Sequence, residues 1–360
     1  MKLLTIGGAT HDMYLINNTF QTIELQNMPY IILQADSKIE IEKIVSAIGG
    51  GATNCAVSFK RLGFDVSIVC QIGNDDAGKM ITKQLAAEHI NTEFVVTSAT
   101  GQTGISCIIP APHGKRTILA YRGVNATLKE QQLPLDRLKE FDQLYVTSLS
   151  GESSQLLLPI AQKAHELKIP LATNPGGSQL AAGEGAAILY KSLRFLTVLI
   201  LNTQEAEQFM HTLPKKALSS AQLINKEKIM PELLGSNQPA TFDLVSYFAT
   251  ILSQGPAIVV VTNGAEGVYI ATKNTILFHP SFPITVTNTV GAGDSFGSCF
   301  VASLAHKKSI EQALINGMLN SASVISHANA QAGLLTVNEL EKRAAKVGMQ
   351  QIKKFVFTLT

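Results

Sequence analysis

Asn288-Thr289-Val290-Gly291-Ala292-Gly293-Asp294 is the stretch of this 360-residue chain that decides its fold class and points to its chemistry. A run that favours a β-strand, residues 284–287, leads into it, and an apolar run that favours a helix, residues 296–305, follows it. The Gly-Ala-Gly turn leaves little side-chain bulk over the backbone N–H groups at the helix start. Because these groups have no acceptor inside the helix and the helix dipole favours negative charge there, the turn predicts an anion site.

Asp294 stands at the edge of this predicted anion site. A carboxylate does not help to bind phosphate, because like charges repel. It suits another task, which is to accept the proton of a hydroxyl that attacks a phosphoryl group. The alternative is a helix N-cap aspartate after a flexible turn, and the motif alone does not decide between the two.

Length and composition set the class of protein. A chain that is 46% hydrophobic can bury a full core, which suits one large α/β domain or a domain with a small appendage. Its net charge of +2 shows no nucleic-acid footprint, and its four cysteines have no metal-ligand spacing. No signal-like run opens the chain, and no apolar segment reaches the ~18 residues that span a bilayer. We therefore expect a cytoplasmic protein with neither nucleic acid nor membrane as a partner.

A strand–turn–helix rhythm, seen in residues 66–88 and again in residues 144–167, predicts an α/β fold with a mainly parallel sheet. Residues 12–42 and 94–122 break this rhythm with strand-like patterns, which predict a small sheet apart from the main one. Residues 211–245 are polar and include Pro231 and Pro239, and we interpret them as an insertion. The whole chain is expected to form a single domain.

Four further glycine-centred turns follow predicted strands, at residues 7–12, 49–54, 73–78 and 262–267. The carboxyl ends of parallel strands meet at one edge of a sheet, where ligands bind. Each turn alone is more often an ordinary turn than a binding loop. Their order along the chain, together with the Asn288–Asp294 stretch, favours a binding role for the whole set.

This order of motifs resembles the PfkB, or ribokinase-like, family of carbohydrate and nucleoside kinases, over nearly the whole chain. Asn288–Asp294 is similar to the family signature D-T-x-G-A-G-D, and residues 49–56 with Arg61-Leu62-Gly63 are similar to its N-terminal signature. Residues 202–205 match N-x-x-E, and residues 262–267 match the nucleotide turn T-x-G-x-x-G. The resemblance implies a three-layer fold, with helices on both faces of a mainly parallel sheet, and a small β lid. It also implies an ATP- and Mg²⁺-dependent kinase.

The resemblance assigns residue roles motif by motif. It implies Asp294 as the catalytic base, assisted by an anion hole of Gly291, Ala292 and Gly293. The substrate-binding residues that it implies are Asp12, Gly50, Gly51, Asn54 and Arg122. The ATP-binding residues that it implies are Asn202, Thr262, Gly264, Gly267 and Asn320. Glu205 is implied to act on Mg²⁺ through water, although a first-turn acid that complements the helix dipole is the alternative.

One position departs from the family pattern, because Asn288 stands where the family usually has Asp. In relatives that residue helps to hold a monovalent cation beside the anion hole. The loss of its charge weakens the case for a K⁺ site, although the amide oxygen remains a candidate ligand.

Three features bear on the substrate and the partners. Gly51 stands where ribose-specific members of the family usually have Lys, which argues mildly against ribose as the sole substrate. A phosphorylated acceptor needs fixed cations, and the lid region offers Lys115, Arg116 and Arg122. We therefore expect a neutral sugar or a nucleoside, with a sugar phosphate as the alternative. Lid strands with exposed apolar side chains predict a homodimer through the lid.

Two other classes of function compete with the kinase. A dinucleotide-dependent oxidoreductase suits the glycine-rich turns superficially, but no G-x-G-x-x-G follows the first strand. A catalytically silent sugar- or nucleotide-binding protein is the second, and the presence of Asp294 argues against it.

Overall fold

The computed structural model describes residues 1–17, 20–26, 28–111, 116–223 and 242–359. Within these ranges an eleven-stranded sheet has the order β13-β17-β16-β15-β14-β12-β11-β10-β1-β6-β7. Its strands are β1 (Lys2–Ile6), β6 (Asp65–Gly73), β7 (Val95–Ser98), β10 (Gln143–Val146), β11 (Leu171–Thr173), β12 (Val198–Asn202), β13 (Ala221–Leu223), β14 (Ile258–Thr262), β15 (Val268–Thr272), β16 (Thr275–His279) and β17 (Lys353–Leu359). The seven strands from β14 to β7 are parallel, and the other four pair antiparallel.

Helices cover both faces of this sheet. They are α1 (Gly51–Arg61), α2 (Asp76–Ala87), α3 (Leu157–Glu166), α4 (Gly177–Leu180), α5 (Glu184–Ser192), α6 (Thr203–Thr212), α7 (Leu244–Ser253), α8 (Ala292–Ala305), α9 (Ile310–Ile325) and α10 (Val337–Ala344). Side chains alternate across a strand, so Leu3 enters the core under α1 and α8, while Leu4 enters the core under α3 and α7. Burial on both faces explains the continuous apolar runs of the central strands.

A second, four-stranded sheet stands apart from the main one and forms the lid. Its order is β5-β2-β8-β9, built from β2 (Thr10–Ile16), β5 (Lys43–Gly49), β8 (Gly104–Pro110) and β9 (Arg116–Tyr121). A separate hairpin pairs β3 (Gln21–Leu25) with β4 (Met28–Ile32). The mixed α/β architecture and the separate small sheet agree with the sequence prediction.

The predicted lid boundaries were wrong at two places. Phe94-Val95-Val96 was expected in the lid, but β7 pairs with β6 at the edge of the main sheet. Residues 43–49 were not included, yet β5 pairs with β2 over its full length. Both errors arise because a short apolar strand carries no local sign of the sheet that it joins.

The C-terminal part of the main sheet is antiparallel. β15 and β16 form a hairpin, and β17 adds to β16 as a further antiparallel strand. Of the predicted insertion, residues 224–241 lie outside the described residues. Its flanks form β13 and the start of α7. Among the described helices, none combines the length and the apolar content needed to cross a bilayer.

Candidate active site

The anion turn lies at the N-terminus of α8, where Gly291 adopts a φ of 80°. A Cβ at Gly291 would lie 2.6 Å from the Cβ of Ala330, so both the left-handed backbone and the close neighbour require glycine. Ala292 and Gly293 occupy the first turn of the helix, where N–H groups have no intrahelical acceptor. The nearest atom to a Cβ on Gly293 would be Asn174 Oδ1 at 3.8 Å. The Gly293 side of the turn therefore faces open space, while Ala292 N donates a long hydrogen bond of 3.4 Å to the carbonyl oxygen of Thr289.

Asp294 follows in the same helical turn, and its carboxylate is half-buried at the bottom of the cleft. Its Oδ2 accepts a hydrogen bond of 2.8 Å from Nδ2 of Asn54 in α1. Burial raises the pKa of Asp294, the Asn54 bond lowers it, and the charge of Asp12 raises it further. A carboxyl group with a raised pKa is a stronger base when it is ionised, which suits proton abstraction.

The acceptor side of the cleft is built from β2 and from the start of α1. Asp12 is 5% exposed and accepts a 2.7 Å hydrogen bond from Thr10 Oγ1. Burial raises the pKa of Asp12, while the bonds from Thr10 and Ser106 lower it. A Cβ on Gly51 would lie 3.4 Å from Oδ1 of Asp294, so the start of α1 faces the base directly.

Gly50 has a role that the sequence reading did not include. It was expected to allow close approach of the substrate to the backbone. Its φ of 91° is left-handed, and a Cβ there would lie 2.5 Å from the carbonyl oxygen of Gly8. Packing of the protein against itself therefore requires glycine at this position, whatever the ligand.

Asn54 is also engaged differently from the expectation that it binds substrate hydroxyls with both halves of its amide. It is 4% exposed, and its Nδ2 donates to Asp294. Its Oδ1 accepts a 3.0 Å bond from Gln331 Nε2. The Asn54 amide thus contacts the base.

A cavity of about 550 Å³ lies on the other side of the anion turn. Its polar wall contains Thr262, Gly264 and Gly267 from the loop after β14, together with Ala292 and Gly293. Its apolar wall comes from a loop after β16 and from α9, with Phe282, Pro283, Ile284, Met318, Ala322 and Ile325. An apolar slot that ends at an anion-binding turn matches a nucleotide, whose base is flat and whose phosphates are charged.

Two predicted ligand residues are not brought into this cleft. Arg122 lines a different cavity of about 780 Å³, together with Gln71, Thr100 and Lys129. Asn320 was expected to border the adenine but is fully buried behind the cavity wall. Its amide donates to Ser295 O at 2.8 Å and accepts from Leu335 N at 2.9 Å, so it joins α9 to α8 and to the segment before α10.

Asn202 and Glu205 form a capping box at the start of α6. Asn202 Oδ1 accepts from Glu205 N at 2.9 Å, and Glu205 Oε2 accepts from Asn202 N at 2.8 Å. Burial raises the pKa of Glu205, and the charge of Asp294 raises it further, which places the two carboxylates in one electrostatic environment. The described residues contain no group of three His, Cys, Asp or Glu side chains that could hold a metal directly.

Asn288, the candidate cation ligand, is engaged within the protein through both polar atoms of its amide. Its Oδ1 accepts from Val290 N at 3.0 Å, and its Nδ2 donates to Ala328 O at 3.0 Å. A backbone N–H can only donate and a carbonyl can only accept, so these two partners fix the orientation of the amide. The Asn288 nitrogen therefore faces the Ala328 carbonyl. The amide links the segment before α8 to the segment after α9.

Two lid residues that were not predicted as site residues reach this loop. Arg116 of β9 donates through Nη1 to Thr289 Oγ1, and Thr289 lines the nucleotide cavity. Tyr14 of β2 forms hydrogen bonds with Asn288 and with the backbone of Ala330, while burial raises its pKa to about 12. Arg116 was predicted only as one of three lid cations, and another of the three, Lys115, lies outside the described residues.

The sequence from residue 19 to residue 338 matches a known family model, described as pfkB family carbohydrate kinase. The chain belongs to the pfkB family of carbohydrate kinases. It is therefore an ATP-dependent kinase that acts on a sugar or a nucleoside.

Individual relatives agree with this assignment. Ribokinase of Staphylococcus aureus is 24% identical to the pfkB chain over 347 residues, which cover 95% of this chain and 99% of the relative. The structure of Arabidopsis thaliana ribokinase complexed with ribose and ATP has a TM-score of 0.73 at 17% identity, covering 96% of this chain and 99% of that one. Burkholderia thailandensis nucleoside kinase in complex with inosine has a TM-score of 0.72 at 17% identity, covering 96% and 98%. The pfkB kinase therefore has the ribokinase-like fold that its motifs predicted.

Proposed function

We propose that this pfkB kinase transfers the γ-phosphoryl group of ATP to a hydroxyl of a neutral sugar or nucleoside, with Asp294 as the general base. The observation that carries the proposal is the meeting of Asp294, the anion turn and Asn54 in one cleft. The nucleotide cavity opens on one side of this point, and Asp12 lies on the other.

In the proposed reaction, Asp294 accepts the hydroxyl proton as the acceptor oxygen bonds to the γ-phosphorus and the bond to the ADP oxygen breaks. General-base assistance of this kind contributes typically ~10²–10⁴-fold. The N–H groups of Gly291, Ala292 and Gly293 stabilise the charge on the transferring group, and one such donor is worth roughly 3 kcal/mol in other enzymes. The carboxylate itself must be ionised, so the Asn54 bond that lowers its pKa favours the active form.

Mg²⁺ fits beside Glu205, held through water. A carboxylate oxygen is a ligand that Mg²⁺ prefers, and this ion usually keeps several waters and few direct protein contacts. When bound, Mg²⁺ neutralises charge on the nucleotide phosphates. We propose that Glu205 orients these waters, while Thr262, Gly264 and Gly267 line the phosphates and ribose.

A neutral acceptor follows from the charges at the cleft. Asp12 and Asp294 are near enough that the charge of Asp12 raises the pKa of Asp294, and two carboxylates repel a second phosphate. Among the described lid residues, Arg116 reaches the cleft, but it contacts Thr289 on the nucleotide side, whereas Arg122 lines the other cavity. This arrangement supports a polyhydroxyl acceptor over a sugar phosphate.

The test is ADP release from Mg-ATP with a panel of pentoses, hexoses, hexose phosphates and nucleosides. We expect turnover with at least one uncharged acceptor and none with the phosphorylated ones. A strong hexose phosphate signal would overturn the neutral acceptor. ATP binding without turnover of any acceptor would favour a silent binding protein, and NADH binding without ATP binding would favour an oxidoreductase.

We also propose a homodimer that covers the lid. The lid exposes large apolar side chains on several strands, with Ile44 at 59% and Leu119 at 57% exposure. Exposed strands of this kind pair or aggregate unless they are covered. Sedimentation at micromolar concentration should give a dimer, and replacement of Leu119 by Lys should give a monomer. A monomer in the unmodified protein would contradict this proposal.

A further inference from the structure

A line of three side-chain hydrogen bonds runs in one direction from α2 to the base. Gln84 Nε2 donates to Gln331 Oε1 at 3.4 Å, and Gln331 Nε2 donates to Asn54 Oδ1 at 3.0 Å. Asn54 Nδ2 then donates to Asp294 Oδ2 at 2.8 Å. The residue in the middle, Gln331, lies in the segment between α9 and α10 and carries no family motif.

The direction of these bonds follows from chemistry. An ionised carboxylate can only accept, so the Asn54 amide must present its nitrogen to Asp294. Its oxygen then faces Gln331, which must present its nitrogen in turn. A partner at position 331 that cannot donate removes one of the two contacts that hold Asn54 in this orientation, and leaves the bond to Asp294 as the other.

Gln331 is held rigidly enough to set this direction. It is 5% exposed, its backbone N–H donates to Asn329 Oδ1 at 3.0 Å, and its carbonyl accepts from Arg61 Nη1 at 3.0 Å. Arg61 is itself fixed by a 2.6 Å ion pair with Glu88. The side chain of Gln331 therefore starts from a backbone that is fixed on both sides.

We propose that Gln331 is a positioning residue for catalysis, which holds the Asn54 amide in the orientation that donates to Asp294. The inference rests on the proposed role of Asp294 as the base. Without the Gln331 donor, the Asn54 oxygen loses its partner and the amide is held at one end only, which weakens its hydrogen bond to Asp294. Gln331 thus acts on the base through Asn54 and does not touch the substrate.

The groups that face Asp294 make its pKa a usable readout. They are Asp12 from β2, Cys55 from α1, Tyr145 from β10 and Glu205 from α6. The charge of Asp12 raises the pKa of Asp294, and a charged Glu205 acts in the same direction. Burial raises the pKa values of Cys55 and Tyr145 well above their usual range, so both stay neutral in the acidic range. The Asn54 bond is the contact that lowers the pKa of Asp294, and its loss moves that pKa upward.

The first experiment compares Gln331→Met with Gln143→Met in the full-length protein, with the acceptor found in the panel. Gln143 is also buried, and its Nε2 donates to the carbonyls of Leu144 and Pro170. It is the first residue of β10, so it lies at the amino-terminal end of that strand. Both variants lose buried donors, so both lose stability. For Gln331→Met alone, we expect the acidic limb of the kcat profile to move up by about one pH unit, which is about a tenfold change in the acid dissociation constant. An unchanged limb and an unchanged kcat would reduce Gln331 to a structural residue.

The second experiment does not need a substrate. Infrared difference spectra between the protein and its Asp294→Asn variant identify the carboxyl band of Asp294, and the band is then titrated with pH. In Gln331→Met we expect this band to titrate at higher pH than in the unmodified protein or in Gln143→Met. The same pKa in all three would overturn the proposal. A shift in the band with no turnover of any acceptor would leave the positioning role intact and would count against the proposed function.

Discussion

The nucleotide side and the acceptor side of this cleft are built in different ways. The phosphate end of the nucleotide side is mostly backbone: the loop after β14 and the Gly291–Gly293 turn are short, contiguous segments that end at helix or strand boundaries, while side chains such as Phe282 and Met318 line the other end. The acceptor side is made of side chains from distant parts of the chain, with Asp12 on the lid, Asn54 on α1 and Gln331 near the C-terminus. Contiguous backbone leaves a sequence motif, whereas a constellation of side chains does not.

This difference indicates that phosphate binding is the same for every acceptor, whereas acceptor specificity can differ between members of the family. A phosphate site that depends on backbone N–H groups and one glycine conformation serves every acceptor equally. Discrimination between acceptors must then come from the side chains of the acceptor half. Two of these side chains, Asp12 and Asn54, are no more than 5% exposed. The comparison predicts large effects on turnover where the two halves meet and graded effects away from that point.

Asp294→Asn, at the meeting point, should have the largest effect. Turnover should fall by at least ~10²-fold, because the amide cannot accept the hydroxyl proton. ATP binding should survive, since the substitution keeps the shape and removes a negative charge near the phosphates. Steady-state kinetics and ATP titration by calorimetry measure the two effects.

Asp243→Asn provides the matched control for the alternative view of Asp294 as a helix cap. Asp243 is an N-cap, and its Oδ1 accepts from Val245 N at 3.0 Å at the start of α7. Because Asn caps a helix about as well as Asp, that variant should keep both its stability and its turnover. If Asp294→Asn also kept its turnover, Asp294 would be only a first-turn acid of α8 and not a base.

The residues that could be predicted from the sequence, and those that could not, follow the same division between the two halves of the cleft. The anion turn, Asp294 and the loop of Thr262–Gly267 could be predicted because each motif is a short contiguous stretch beside the start of a helix or the end of a strand. Gln331 could not, because its partner Asn54 is 277 positions away and neither residue type signals such a contact. Asn320 misled the prediction, since an amide on a helix near the cavity can equally be buried between helices.

The lid arginines test whether contact between the lid and the nucleotide half matters for turnover. Arg116→Met should lower turnover roughly tenfold or more, the scale of one charge-assisted hydrogen bond, because Arg116 contacts Thr289 at the mouth of the nucleotide cavity. Arg122→Met removes the same charge from the same sheet edge but from the other cavity, and kcat/KM should stay close to the unmodified value. Equal losses in the two variants would mean that net lid charge, and not contact with Thr289, is what matters.

Glu205→Gln tests the metal on the nucleotide half. The Mg²⁺ concentration at half-maximal activity should rise several-fold, about 3- to 10-fold, because a charged ligand to the metal waters is lost. The cap should persist, since the amide oxygen of Gln can still accept from Asn202 N. Glu339→Gln alters the same kind of capping box at α10, where Glu339 accepts from Thr336 N at 2.8 Å, and it should leave the Mg²⁺ titration unchanged. An unchanged titration in Glu205→Gln would make Glu205 a cap alone.

The smallest effect is expected from K⁺, and even the lack of any effect of K⁺ would be informative. Both polar atoms of Asn288 are engaged, with Val290 N and Ala328 O, so the loop is closed without an ion. At matched ionic strength, replacement of Na⁺ or choline by K⁺ should change kcat less than about twofold, because only general screening remains. Asn288→Asp loses the donor to Ala328 and places a carboxylate against a carbonyl, a pair of oxygens that a cation would bridge. That variant should respond to K⁺ more strongly than the unmodified protein.

Strong K⁺ activation of the unmodified enzyme would show that amide and carbonyl oxygens hold the ion without a carboxylate. The nucleotide half would then depend on more than its backbone turn.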